Sequence, residues 1–207
     1  MALETNTLYP GDPLWLEKLR RMHPFKLFMY VSIAGITILF LFLTAAFIFS
    51  PKSEMFYLPT WFAFSTLVLL LSSFTVLKAQ KSYLTDKPAL LNRYLVATFL
   101  LALLFVAFQM LGWKELRVHN VYFRGDVNGS YLYLLSGLHL LHFFGGMIYF
   151  LFVYFRAFAA YRDSVKNLIY VTDPYEKMLI DLLALYWHFV DILWVVMYLV
   201  FVYYALS

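Results

Sequence analysis

The sequence predicts an all-α integral membrane protein, a bundle of five transmembrane helices preceded by a short N-terminal interfacial helix. Of the 207 residues, 63% are hydrophobic and 14% are charged, whereas a soluble domain is about half apolar and a quarter charged. The apolar residues form five runs, and each run can cross the ~30 Å hydrocarbon core as a helix. A membrane barrel would instead show short alternating segments and an even number of strands.

The five runs define the predicted domain organisation. They predict spans at about 27–49, 57–77, 91–111, 131–155 and 178–206. We divide the chain into a polar leader, 1–26, and a five-helix transmembrane domain, 27–207. In the leader, Asp12-Pro13 is typical of a helix start, and residues 14–22 are amphipathic. This segment is predicted to lie on the membrane surface.

The basic residues predict the orientation of the chain. Twelve of the 16 Lys and Arg fall in or next to the leader and the second–third and fourth–fifth loops, and four fall on the other side. This bias places the N-terminus in the cytoplasm and the C-terminus outside. The basic residues form no continuous patch, which excludes a nucleic-acid partner. With no Cys in the chain, disulfides, thiolate metal sites and cysteine nucleophiles are excluded.

The last span carries ionisable side chains where apolar ones are expected. His188 and Asp191 are three residues apart and share a helix face, flanked by Trp187 and Trp194. A charged side chain near the bilayer centre costs roughly 3 kcal/mol, so this face should meet protein or trapped water. One interpretation is a proton relay, a ligand pair or a contact with a partner subunit. The other is a His–Asp pair that satisfies itself and links two helices.

The fourth span contains a second polar motif, with His139 and His142 three residues apart. Gly145 and Gly146 follow, and small residues of this kind let another backbone approach closely. His142 and Asp191 lie at similar depth if the last two helices are antiparallel neighbours. The sequence therefore predicts a His142–Asp191 or His139–Asp191 pair.

Other polar residues of the spans predict packing rather than chemistry. Gln109, near the end of the third span, is interpreted as the donor or acceptor of an interhelical hydrogen bond. His142 with His188 could in principle hold a haem between two helices. Three intramembrane histidines are nevertheless a weak metal signal. We predict no catalytic, cofactor-binding or metal-binding residue in this chain, with a small membrane b-type haem protein as the alternative.

Two motifs resemble subunit III of the haem–copper terminal oxidases. They are Gly137-x-His139-x-x-His142 followed by Gly145-Gly146, and Tyr186-Trp187-His188-Phe189-Val190-Asp191-Ile192-Leu193-Trp194. Phe108-Gln109 and Ser72-Ser73 also fit the family pattern. A five-helix form of this subunit occurs in bacterial oxidases, including quinol oxidases.

The resemblance implies a non-catalytic role. In this family subunit I carries the haems and one copper, and subunit II of cytochrome c oxidases carries the dinuclear copper. Subunit III packs against subunit I, binds phospholipid in a cleft and sustains turnover and proton delivery. The complex reduces O2 to water and pumps protons. We therefore expect subunit I as the main partner, with subunit II, small subunits and membrane lipid as further partners, in the bacterial inner membrane.

Several points stay open at the level of sequence. A quinol oxidase or a nitric-oxide-reductase-associated homologue is the alternative within the same class, and membership of a respiratory supercomplex is undetermined. The family commonly has a glutamate where this chain has Ile36, and a second one near Gly112. Roles that depend on those carboxylates are therefore not transferred to this chain.

Overall fold

The computed structural model describes residues 23–51, 56–123 and 127–206. In these residues it contains six α-helices and no strand. The helices are α1 Pro24–Ile48, α2 Thr60–Leu84, α3 Pro88–Val118, α4 Val127–Tyr161, α5 Ser164–Thr172 and α6 Pro174–Leu206. All except α5 are long and apolar enough to cross a membrane. The prediction of an all-α bundle with five spans is confirmed, whereas the predicted surface helix at 14–22 lies outside the described residues.

The five spanning helices extend beyond the apolar runs at one or both ends. The first begins at Pro24, which fixes the backbone for the first helical turn, and the His23 side chain accepts a hydrogen bond from the backbone N–H of Phe25 at 3.3 Å. Lys26 lies in the first turn of α1. The second span starts later than its apolar run, because Pro59 stands in extended conformation immediately before α2.

Helix α6 is the centre of the bundle. It packs against α1, α2 and α4, while α4 also contacts α1 and α3. The most extensive contact joins α2 and α3, which form an antiparallel hairpin closed by a turn at Asp86. Helix α1 lies at the side of the bundle, and only Phe40 and Phe47 among its residues are buried. The inner face of α6 therefore meets three of the other spans.

The α2 helix has no side-chain cap of its own, and α3 supplies one. The Glu115 carboxylate accepts hydrogen bonds from the Tyr57 hydroxyl at 2.7 Å, the Thr60 hydroxyl at 2.8 Å and the Trp61 backbone N–H at 3.3 Å. A negative charge at a helix N-terminus is favourable because it meets unpaired N–H groups and the positive end of the helix dipole. The bond to Glu115 and partial burial raise the pKa of Tyr57 to about 12.

The opposite end of the bundle contains the α2–α3 turn, α5 and the start of α6, and we call it the basic end because it holds most of the lysines and arginines. Sequence analysis did not predict α5, which occupies nine residues of the fourth–fifth loop. Asp163 caps α5 by accepting from the backbone N–H groups of Val165 and Lys166. An ion pair between Arg156 of α4 and Glu176 of α6 joins the two flanking spans.

Candidate functional site

The polar face of α6 is used to bind α2. The Trp187 indole N–H donates to the Ser72 hydroxyl at 2.9 Å, and a hydrogen bond of 2.7 Å joins His188 Nδ1 to the Ser73 hydroxyl. About two turns further on, the Trp194 indole N–H donates to the Thr66 hydroxyl at 3.0 Å. Nearer the basic end, Gln80 donates to Asp181 at 2.8 Å. We call these paired groups the α2–α6 seam; its members are Thr66, Ser72, Ser73, Gln80, Asp181, Trp187, His188 and Trp194.

The seam is built from matching helical periods. On α6, positions 187 and 194 are seven residues or about two turns apart and position 188 adjoins 187, so the three side chains leave the helix on one side. On α2 the hydroxyl residues at 66, 72 and 73 have the same spacing. In the apolar interior an indole N–H needs an acceptor, and a serine or threonine hydroxyl provides one without adding bulk.

Trp194 forms the centre of an aromatic cluster at the seam. Its side chain is fully buried, and its ring packs edge-on against Phe62 of α2 and Phe105 of α3, with centroid distances of 5.4 and 5.7 Å. The His139 ring of α4 lies 4.9 Å away. Trp194 of α6 therefore contacts side chains of three other helices, α2, α3 and α4.

His139 behaves as a member of this aromatic cluster. It is fully buried, and among the described residues neither ring nitrogen has a hydrogen-bond partner. Its other neighbours are Phe105, edge-on at 5.9 Å, and Phe143 at 6.5 Å. The ring fills space between α3, α4 and α6.

The predicted His–Asp pairs are not formed. Asp191 is 2% exposed, and within the described ranges neither carboxyl oxygen has a hydrogen-bond partner. His142 Nδ1 donates to the carbonyl of Leu138 on its own helix at 2.8 Å, and its ring packs edge-on against Phe40 of α1 at 5.5 Å. His188 is bonded to Ser73 rather than to Asp191. The depth argument therefore gave a wrong pairing, because the His142 ring packs against α1 whereas Asp191 lies beside Phe143 and Gly146 of α4.

Gln109 forms a hydrogen bond to a neighbouring helix. Its side-chain amide N–H donates to the Ser65 hydroxyl at 3.0 Å, and both residues are fully buried. This bond joins α3 to α2, so the prediction of an interhelical hydrogen bond is confirmed. Ser65 thus adds to the hydroxyl residues of α2 that bond other helices, on the side of α2 that faces α3.

The two neighbouring glycines of α4 differ in what they contact. A Cβ added at Gly146 would lie 2.7 Å from the Tyr186 ring, whereas at Gly145 the nearest atom would be the Tyr186 hydroxyl at 4.0 Å. The Tyr186 hydroxyl donates to the His142 carbonyl at 3.0 Å, which fixes the ring in place. Close approach at Gly146 is thus to an aromatic ring, and the expectation of a neighbouring backbone there is corrected.

Gly112 also lies directly against an aromatic ring, that of Phe62. A Cβ at this position would overlap the ring of Phe62, whose side chain is fully buried beside Trp194. A carboxylate at Gly112 would require Phe62 to move. The departure from the family pattern noted in the sequence is therefore coupled to the packing of the aromatic cluster.

A cleft of about 350 Å³ opens between α1, α4 and α6. Its lining is formed by Phe25, Phe28, Met29, Ser32, Ile36, Gly145, Tyr149, Leu182 and Tyr186. The Tyr149 hydroxyl donates to the Leu179 carbonyl at 2.8 Å, and the Tyr186 hydroxyl is bonded to His142 as described. Because both phenol groups are occupied, the tyrosines present mainly ring surface to the cleft. Ile36, where the family commonly has a glutamate, adds to this apolar character.

The histidines do not converge on a common site. His142 contacts α1 and His188 contacts α2, so their side chains are not arranged as two ligands of one haem. Across the described parts of the chain, no group of three or more His, Cys, Asp or Glu side chains could hold a metal ion. The haem alternative raised from the sequence therefore does not fit these residues.

Some participants were missed by sequence reasoning. Three residues that contact the motifs were not identified from the sequence: Thr66, Phe62 and Phe40. The recurrence of Ser and Thr along one face of α2 could have identified Thr66. The two phenylalanines carry no signal in a chain with 22 of them.

Comparison with known proteins gives a consistent result. The sequence profile of the family described as "Cytochrome c oxidase subunit III" matches residues 54–206. A "Probable cytochrome c oxidase subunit 3" of Mycobacterium bovis is 33% identical over 139 residues, covering 65% of this chain and 62% of the relative. "Cytochrome bo(3) ubiquinol oxidase subunit 3" of Buchnera aphidicola is 29% identical over 132 residues, covering 63% of this chain and 64% of the relative.

The match thus spans less than two thirds of the length of these relatives, 62% for the mycobacterial protein. The profile match includes α2 to α6, with the whole seam and both motifs, and it begins after α1. The profile match covers well over half of the chain, and the motif residues lie inside it. The chain is a multi-pass membrane protein that belongs to the cytochrome c oxidase subunit III family.

Proposed function

We propose that this chain is the non-catalytic subunit III of a proton-pumping haem–copper oxidase, and that it packs against subunit I and sustains turnover in the reduction of O2 to water. The haems and the copper of such a complex reside in its partner subunits. Cytochrome c is the proposed electron donor, because the mycobacterial relative is named as a cytochrome c oxidase subunit. Quinol is the alternative, on the basis of the Buchnera relative.

The observation that carries this proposal is the use of the family motif in packing. Trp187, His188 and Trp194 each bond a hydroxyl of α2, and His139 fills an aromatic cluster. A redox centre needs converging ligands that remain available to the metal. Here the motif side chains are directed to separate neighbours, which supports a scaffold role.

The cleft between α1, α4 and α6 supports the lipid-binding part of the proposal. Its volume of about 350 Å³ and its aromatic and aliphatic lining suit a hydrocarbon chain. Its polar lining is small, since the two tyrosine hydroxyls donate to backbone carbonyls. We propose that an acyl chain of a phospholipid occupies it and fills the space between α1 and the rest of the bundle.

The excess of Lys and Arg at the basic end supports an orientation with that end in the cytoplasm. We propose the bacterial inner membrane as the location, with the C-terminus outside. The division into a leader, 1–26, and a transmembrane domain remains part of this proposal.

The test is affinity purification of the chain from gently solubilised membranes, with a reduced-minus-oxidised spectrum of the eluate. We expect a large haem–copper subunit to co-purify with a-, b- or o-type haem bands. A copper-binding subunit II in the eluate would identify cytochrome c as the donor. Elution of the chain without any haem-containing partner would contradict the proposal.

A further inference from the structure

Contacts with α2 and with the α2–α3 turn fix the rotation of α5 about its own axis at the basic end. The Tyr83 hydroxyl of α2 donates to the Tyr170 backbone carbonyl at 3.0 Å, and the Tyr170 ring packs edge-on against Tyr83 at 5.5 Å. The Asn167 side chain donates to Asp86 at 3.2 Å. Tyr170 is 5% exposed. These contacts direct one face of α5 towards the bundle and leave the opposite face directed away from it.

The face directed away from the bundle is apolar. Val165, Leu168 and Ile169 are 69%, 67% and 62% exposed, and their spacing of three and four residues places them in one stripe. We call these three residues the α5 stripe. A surface stripe of this kind on a short amphipathic helix is typical of helices that lie in a membrane interface.

The position of α5 agrees with such a location. Only two residues separate it from the end of α4, and one residue, Asp173, separates it from the start of α6. Both neighbours are long enough to span the membrane. Because the ends of spanning helices are expected near the membrane surface, this connection would place α5 at the depth of the lipid headgroups.

The charge next to the stripe indicates which lipids it would meet. Arg162 and Lys166 are exposed beside it, and the Lys166 ammonium lies 3.9 Å from the Asp163 carboxylate, with both groups open to solvent. Further exposed lysines at the same end are Lys81, Lys87 and Lys177. Exposed cations beside an apolar stripe are complementary to a surface that combines phosphate groups with hydrocarbon.

We propose that α5 is an interfacial anchor, with the α5 stripe inserted among the headgroups and upper acyl chains of anionic phospholipids and with Arg162 and Lys166 facing the phosphates. This site is separate from the cleft between α1, α4 and α6. It depends only on the membrane-spanning fold and does not depend on which oxidase the chain serves.

The absence of Cys from the chain allows a direct depth measurement. Leu168→Cys is labelled with a nitroxide in the full-length chain, reconstituted in nanodiscs that contain anionic lipid. Lys166→Cys, exposed at the flank of the same helix, is the matched control. Leu141→Cys, 64% exposed in the middle of α4, provides the reference for a label fully in lipid. Collision with oxygen and with a water-soluble nickel chelate is measured for each label.

We expect the Leu168 label to have an oxygen-to-nickel accessibility ratio several-fold above that of Lys166 and below that of Leu141. The ratio should fall when zwitterionic lipid replaces anionic lipid or when salt is raised, because the cations then hold α5 less tightly. Equal ratios at Leu168 and Lys166 would place the stripe in water and overturn the proposal. A Leu168 label shielded from both reagents would show protein on the stripe and would overturn it equally. If Leu168→Cys does not fold, Val165→Cys reports on the same stripe.

Discussion

The two sides of α6 are packed by different means. Towards α2, paired hydroxyl, indole and imidazole groups interlock at distances of 2.7–3.0 Å around buried Trp194. Towards α1, the contact is apolar and leaves a cleft of about 350 Å³, with a second groove of about 200 Å³ further along. The polar side specifies one register of the helices, whereas the apolar side leaves room for lipid.

This difference has a physical reason. In a bilayer, apolar contact between helices brings little gain over contact with lipid chains, so specificity comes from close packing and interhelical hydrogen bonds. The α2–α6 seam has both. Helix α1 has mainly apolar contacts, and it is the span that buries the smallest share of its residues. Substitutions on the two sides should therefore differ in their consequences.

The largest expected loss follows from Trp194→Ala. It removes a fully buried ring that touches α2, α3 and α4, and such truncations cost about 3–5 kcal/mol. Leu199→Ala, 59% exposed on the same helix, is the control and should change little. Thermal unfolding in detergent, followed by loss of helical circular dichroism, measures both. Similar midpoints for the two variants would show that the seam does not hold the bundle together.

A smaller loss is expected from Gly146→Ala. The added methyl group would meet the Tyr186 ring at 2.7 Å, and that ring is held by its bond to the His142 carbonyl, so overpacking should cost about 1–3 kcal/mol. Gly145→Ala is the matched control, because its nearest contact would be at 4.0 Å. The same thermal measurement applies. The interpretation of Gly146 is wrong if the two adjacent glycines tolerate alanine equally well.

The next effect concerns the cap of α2. Glu115→Gln keeps an acceptor but removes the charge at the helix N-terminus, which should cost about 0.3–1 kcal/mol and less at high salt. Because Glu115 raises the pKa of Tyr57 from its ordinary value of 10.0 to about 12, the stability from this bond is complete below pH 10 and is lost as pH rises towards 12. Alkaline unfolding of the wild type and the variant should therefore begin at different pH values. Identical alkaline profiles would show that Glu115 does not act on Tyr57.

The smallest effect is expected at Asp191. With no hydrogen-bond partner for either oxygen among the described residues, Asp191→Leu replaces a buried polar group by an apolar one of similar shape. Such changes are near neutral or stabilising. His188→Leu, which breaks a bond to Ser73, should instead lose about 1 kcal/mol. A marked loss of stability of the isolated chain for Asp191→Leu would contradict this expectation, because it would show that the carboxyl group stabilises the fold.

Hydropathy was sufficient to predict the five spans, because the length and apolarity of a run decide whether it can cross the bilayer. The spacing of three residues predicted a common helix face for His139 and His142, and another for His188 and Asp191, but the members of each pair contact different neighbours. It could not predict the partners, since these depend on how each helix is rotated against its neighbours. That rotation is set by the fit of Tyr186 over Gly146 and of Phe62 over Gly112.

Helix α5 was missed for a different reason. It is too short and too polar to appear in a search for spans, although Asp163 is a typical helix cap and the stripe has helical spacing. Gln109 could be predicted because a buried amide has few alternatives to an interhelical bond.

The central claim is that the histidines of α4 and α6 pack helices and do not ligate a redox centre. It is tested by the absorption spectrum of the full-length chain expressed with ample haem and purified apart from its partners. We expect no Soret band, with wild type, His142→Ala and His188→Ala indistinguishable. A Soret band in the wild type that is lost in either variant would show that these histidines bind haem and would contradict the claim.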